Sequence, residues 1–446
     1  MVLIPTTITA IGEYAFGYCS NLEYVYLPTS LTELPDFLFS NSNIQSLTIP
    51  TSVTSIGIGI CLHCFSLSQA IVPTSLTIIT LNTFSYSFSL FTVNIPTTVT
   101  FLESNSFEFV SSLQSIVIPT SLRSISSFSF QDCGLTSLVL PTTITFLDSR
   151  SFFNCALMES VLLPTSLVNI GCCVFMQTGL TSVVLPTSIT SFDIGLFANC
   201  FNLVNVVIPT TVTSIPFQTF LRTALRTLVI PTSVTDIGAE AFAEIPDLIS
   251  IQIPTSVSSL AGYILSMYPY IGVLSHVGIP TLVTYIGIQA FQGLPFLTAL
   301  NIPTSVVYIA SAAFNQTSIH EIIMPTSVTT LSQQNFMLAS NITKLVLPTS
   351  LKEIDIQMFT GSNAGVLLTV VIPSSVTRIR NYSFAEFTNL HKIIILSSVR
   401  IIEDYAFAFC QQLICVGWNN ATGVQFNLTV FEESPNIEVH KNISEC

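Results

Sequence analysis

The chain has 446 residues, 50% of them hydrophobic and only 8% charged, with 11 basic against 24 acidic side chains. A net charge of −13 excludes nucleic acid and anionic membrane surfaces as partners, because both are held by clustered Lys and Arg, and the first basic residue here is Arg123. The mean hydropathy of +0.71 is that of a membrane protein, yet apolar runs such as 182–185 and 392–396 end in Pro, Ser or Thr, far short of the ~18 residues of a spanning helix, so no transmembrane segment is expected.

Met1-Val2-Leu3-Ile4-Pro5 already belongs to a repeating pattern and has neither the basic region nor the separate apolar core of a cleavable secretory signal, so none is expected. From there a Pro-Thr signature, usually completed by Ser or Thr, recurs at Pro5, Pro28, Pro50, Pro73, Pro96, Pro119, Pro141, Pro164, Pro186, Pro209, Pro231, Pro254, Pro280, Pro303, Pro325 and Pro348. It returns as Pro373-Ser374-Ser375, and a last copy has Leu396 in place of proline. The spacing is 22 or 23 residues, lengthening to 26 after Pro254 and 25 after Pro348. A fixed period of this length dictates a repeat architecture.

Within each unit the apolar positions also recur. Three residues after the proline stand Ile8, Leu31, Val53, Leu76 and their successors, with no polar exception to Val376. Eleven after it stands Phe, from Phe16 and Phe39 to Phe384 and Phe407, replaced only by Cys61 and Leu265. These rings are expected to stack as a continuous internal spine. Leu180 to Leu185 is β-branched and reads as a strand, closed by Pro186 because proline offers no N–H to a ladder. A second extended piece is expected around Ile189 to Phe192, and Gly12, Gly57, Gly171, Gly238 and Gly287 at the seventh position suit a sharp bend. The Ala-Phe-x-x-Cys piece reads as one turn of α or 3₁₀ helix at most. The two long units predict bulges at 261–273 and 361–365.

One unit offers about six inward side chains worth roughly 1.5 to 3 kcal/mol each, against roughly 1 to 2 kcal/mol per ordered residue. A lone unit cannot fold, and neighbours must cover both faces of its apolar layer. Like strands stacked in parallel at about 4.8 Å give some eighteen turns along an arc on the order of 85 Å. The expected fold is therefore a β-rich α/β solenoid, with a curved parallel sheet of short strands and helical turns on the other face. Residues 1–415 form the solenoid, and residues 416–446 are a C-terminal cap or tail.

The unit L-x-x-V-x-I-P-T-S-V-T-x-I-G-x-x-A-F-x-x-C, seen for example in residues 228–242, resembles the BspA-like leucine-rich repeats. The resemblance covers roughly residues 1 to 415. It implies a leucine-rich-repeat fold and a protein that binds host or matrix proteins at the cell surface or after secretion.

Candidate chemistry is sparse. His63, His276, His320, His391 and His440 fall in separate units or in the tail, without metal-ligand or triad spacing. Most of the eleven cysteines occupy a buried repeat position and read as apolar filler. Cys61-x-x-Cys64 imitates half of a zinc or redox motif, but both sit at interior positions. Cys172-Cys173 is a turn pair, and Cys133 and Cys155 of adjacent units read as stacked thiols. No phosphate loop, nucleophile elbow or pair of inward carboxylates occurs, so no enzyme, cofactor or metal is expected. Sequons at Asn315, Asn341, Asn381, Asn420, Asn427 and Asn442 are a hint of secretion.

Side chains alternate along a strand, so with Val183 and Leu185 inward, Val184 points out. The same outward column contains Val117, Val139, Leu162, Val184, Val207 and Val229 in succession. Soluble chains rarely expose such a contiguous aliphatic stripe without a partner, and these six residues are the candidate protein-binding surface. The reading is a non-enzymatic protein-binding or adhesion module with a protein ligand. Self-association through the repeat ends or through the stripe is the structural alternative. A third reading, ice or glycan binding, rests on the hydroxyl row Thr29, Thr51, Thr74, Thr97 and Thr120.

Overall fold

A computed structural model describes residues 1–267, 272–339, 341–362, 369–396, 398–418, 424–435 and 437–440. The chain forms two compact units, 1–224 and 225–446. Both are parallel-strand solenoids of stacked coils, one coil per sequence repeat.

In the first unit each coil carries up to two short strands. The strand before the proline pairs in register with its neighbours, as Ser46–Thr48 does with Gln69–Ile71 and that strand with Thr92–Asn94. The chain then turns, with the N–H of Val53 donating to the carbonyl of Pro50 at 3.0 Å and its counterparts doing the same in other coils. A two-residue strand follows, such as Glu33–Leu34 paired with Ser55–Ile56. In the coil of residues 186–208 this second strand is missing, so the extended piece expected around Ile189 to Phe192 forms no strand.

The helical turns expected on the far face are not there. Among the described residues the one helix is the 3₁₀ turn Leu428–Phe431. The Ala-Phe-x-x-Cys segments are consecutive tight turns in which two residues per coil take left-handed backbone, Tyr14 (φ 54°) and Tyr18 (φ 59°) in the first coil, Phe37 and Asn41 in the second. Left-handed residues four apart stop a right-handed helix from propagating. The hydrogen bonds a helix would have made within the segment run instead between coils. The N–H groups of Phe37, Phe39 and Asn41 donate to the carbonyls of Ile58, Ile60 and Leu62, each at 2.8 Å. The third side of every coil is thus another ladder.

Two of the seventh-position glycines act by proximity. A Cβ on Gly57 would lie 2.4 Å from the Asp36 backbone nitrogen, and one on Gly287 2.4 Å from that of Gly262, while neither residue has a positive φ. At these two corners adjacent coils touch, whereas a Cβ on Gly12 would meet nothing within 4 Å, and other coils carry Thr80, Glu103 or Ser126 in that place.

Phe39, Phe84, Phe107, Phe130, Phe152, Phe175, Phe197 and Phe220 are fully buried in the first unit. Consecutive rings from Phe84 to Phe220 lie 5.3 to 6.0 Å apart with planes within 25° of parallel. Cys61 fills its place with no exposure. The first coil is less covered, and Ile8 is 38% exposed.

The second unit repeats the plan. Thr227–Val229, Ser250–Gln252 and His276–Gly278 pair in register although the last two are separated by the lengthened repeat. Of the two expected bulges, residues 268–271 and 363–365 lie outside the described residues. Phe291, Phe314, Phe336, Phe359, Phe384 and Phe407 stack at 5.1 to 5.6 Å. Phe431 adds a further ring at 5.7 Å from Phe407, and the strand Cys415–Trp418 pairs with Glu438–His440.

The repeat cysteines are more than apolar filler. Cys64, Cys133, Cys155, Cys200 and Cys410 each donate the S–H to the carbonyl of the spine residue in the preceding coil, at 2.9 to 3.1 Å. Ser87, Ser362 and Ser434 do the same with a hydroxyl. A small side chain with one donor satisfies a buried carbonyl at this spot. Cys415 departs from the pattern in being disulfide-bonded.

Candidate functional site

The outward column emerges on the solvent side of the first ladder. Val139 pairs across the sheet with Leu162, and Val184 with Val207, in register. Their strand neighbours Leu138, Val183 and Val206 are buried as the alternation read from the sequence requires, while Val161 beside Leu162 is half-buried. In the first unit Val117, Val139, Leu162, Val184 and Val207 are between 47% and 78% exposed. Val117 reaches the surface from a segment with no strand pairing. Val229 begins the equivalent column of the second unit and is equally open, paired with Gln252.

The flanks of the stripe are short and polar: Ser137, Ser160, Ser182 and Asn205 precede the aliphatic residues on the same strands. Glu159 is the charged neighbour, at the edge of the strand Ser160–Leu162. Such a surface makes apolar contact along its aliphatic column.

The other candidates separate. His63 lies against the Tyr86 ring at 4.6 Å, and His391 Nδ1 sits 2.8 Å from the carbonyl of Asn389. Cys61 and Cys64 are both buried, and burial pushes the Cys61 thiol well up. Among the described residues no three His, Cys, Asp or Glu side chains gather as a metal site, and no helix is long and apolar enough to cross a membrane. Asn315 is buried, which removes that sequon from the surface; Asn420 and Asn442 lie outside the described residues. Thr29, Thr51, Thr74, Thr97 and Thr120 are exposed at the turns, while the next residue points back, as Ser121 Oγ does to the carbonyl of Val99.

Sequence reasoning missed an aromatic file on the turn side of the first unit. The rings of His63, Tyr86 and Phe109 lie 4.6 Å apart in succession, beside Phe65 stacked on Phe88 at 5.4 Å. Its signal was the recurrence of aromatic residues at one repeat position over three successive units.

The model of the BspA type leucine rich repeat region matches residues 1–110, 78–204, 192–273, 266–366 and 363–444. A leucine-rich repeat protein from Bacteroides ovatus is similar in structure, with a TM-score of 0.63 at 23% identity over 92% of this chain and 94% of that one. A leucine rich cell surface protein from Faecalibacterium prausnitzii gives 0.42 at 21% identity, covering 87% of this chain and 93% of that one. The pneumococcal vaccine antigen PcpA gives 0.41 at 14% identity, covering 89% of each. No curated protein matches the chain.

Proposed function

The chain belongs to the BspA-type leucine-rich-repeat family, and from that premise we propose that it is a non-enzymatic protein-binding or adhesion module whose contact surface is the outward stripe Val117, Val139, Leu162, Val184 and Val207 of the first unit, with Val229 of the second unit as a further contact residue. The observation that carries this reading is the exposure of aliphatic side chains on paired strands, flanked on those strands by Ser137, Ser160, Ser182 and Asn205. Isolated exposed valines need no explanation, but a row of them in adjacent coils is the surface a protein partner desolvates. The ligand is a protein, displayed to the chain at the cell surface or outside it.

Replacing Val139, Val184 and Val207 together with Thr keeps the β-branched shape and removes apolar surface. Folding survives, and the affinity of a partner captured by pull-down falls roughly tenfold or more, about 1.4 kcal/mol. Undiminished binding moves the contact off the stripe.

A second reading is self-association through the same aliphatic stripe, whose side chains are exposed. Light scattering across a concentration series separates the two. In either reading residues 424–435 pack against the last coil, with Val430 buried and Ser434 accepting from the N–H of Cys410 while donating to Phe407.

A further inference from the structure

Beside Cys61 in the spine and the partly exposed Cys19 of the first coil, the thiols of the first unit fall into two sets. Cys64, Cys133, Cys155 and Cys200 are enclosed and tied to spine carbonyls. Cys172 and Cys173 occupy a different place, the corner where each coil enters its left-handed turns. Cys172 is partly exposed, and Cys173 has a φ of 58°. Their sulfurs are 2.8 Å apart, each the nearest thiol partner of the other.

The backbone around the pair is already fixed from both sides. The carbonyl of Cys172 accepts from the N–H of Arg150 at 2.8 Å, and the N–H of Cys173 donates to the carbonyl of Ile194 at 3.0 Å. In the next coil the residue beside Cys173 is Gly195, and a Cβ built there would lie 3.2 Å from the Cys173 sulfur. Glycine therefore leaves room beside that sulfur, although Cys173 itself is buried.

We propose that Cys172 and Cys173 are a redox-active vicinal dithiol, which closes to a disulfide within the turn by exchange with a low-molecular-weight disulfide such as oxidised glutathione. The thiolate of Cys172, the more open of the two, attacks one sulfur of the glutathione disulfide. A mixed disulfide forms, and one glutathione leaves with the proton Cys172 gave up. The thiolate of Cys173 then attacks Cys172 Sγ and expels the second glutathione. The protein loses two thiol hydrogens and two electrons, and the glutathione disulfide gains them.

The pair reacts slowly at neutral pH. Burial first and the Cys173 thiol second, with a further contribution from Asp193 against the opposing charge of Arg150, push Cys172 up to about 12. Only the thiolate attacks, so the rate rises roughly tenfold per pH unit below that value. This chemistry is independent of the stripe and of any protein partner.

The test uses the full chain, reduced and then incubated with oxidised and reduced glutathione at several ratios, unfolded in excess alkylating agent and cut with chymotrypsin. Cleavage after Leu167 and Phe175 releases residues 168–175, which hold only these two cysteines. That peptide should be unalkylated and lighter by two hydrogens, while the peptides of Cys133, Cys155 and Cys200 carry the alkyl label. Cys173→Ser should retain glutathione on Cys172, and Gly195→Asn, whose side chain suits left-handed backbone, should slow closure several-fold. Alkylation of both sulfurs at every ratio, or absence of the glutathione adduct in Cys173→Ser, overturns the proposal.

Discussion

Cys155 Sγ donates to the carbonyl of Phe130 in the preceding coil, 3.0 Å away. The cysteine is fully buried, and burial pushes its thiol up to about 12, so it stays a protonated donor at any physiological pH. Cys155→Ala leaves that carbonyl without its thiol donor and should cost roughly 1 to 3 kcal/mol. Cys155→Ser supplies the donor that Ser87 supplies elsewhere and should melt close to the parent. Equal melting of both variants would show that the thiol is only filler.

Phe197 lies between Phe175 and Phe220 at 6.0 and 5.8 Å. Phe197→Ala removes a ring that no neighbour can replace, since the adjacent rings are fixed by their own coils. The loss should be about 3 to 5 kcal/mol in the first unit. Urea unfolding followed by circular dichroism measures it, and an unchanged midpoint would refute the spine as the source of stability.

Asp404 accepts from Thr429 Oγ1 at 2.6 Å and Asn427 Nδ2 at 3.0 Å, and these two bonds hold its carboxyl below the usual range. A lowered folded pKa means that the contact stabilises fully above the unfolded value and is lost as pH falls through the folded one. The protection factor of the Val430 amide, corrected for the intrinsic pH dependence of exchange, should therefore fall below about pH 4, and in Asp404→Ala it should be low already at neutral pH. Protection that ignores both changes would mean that the 424–431 turn is held by Val430 and Phe431 alone.

The parts of the fold that were legible from sequence are those where burial selects a residue type. The Phe column, the strand-ending prolines and the in–out alternation at Val183 and Val184 could be read because packing and proline chemistry tolerate few substitutes. The left-handed pairs were not legible, because Tyr14, Phe37, Asn82, Arg150 and Cys173 share no side-chain chemistry and none is glycine. The recurrence of Asn at such positions, as in Asn41, Asn105, Asn154 and Asn199, was the faint signal. The donor role of the repeat cysteines was hidden because Ser and Cys are not obviously equivalent until the carbonyl they serve is seen. The stripe residues were legible as outward-facing, but side-chain alternation encodes no partner.

Most coils offer their neighbours the same ring and the same row of backbone groups, and many add a hydroxyl or thiol aimed at a spine carbonyl. A coil copied or removed as a block would find matching neighbours on both sides. Slippage during replication is thus tolerated at the level of whole repeats, and the number of coils is free to drift while the interior chemistry stays constant. Variation is then left to the outward column, where a gene can trade Val184 for Gln252 without disturbing what lies beneath.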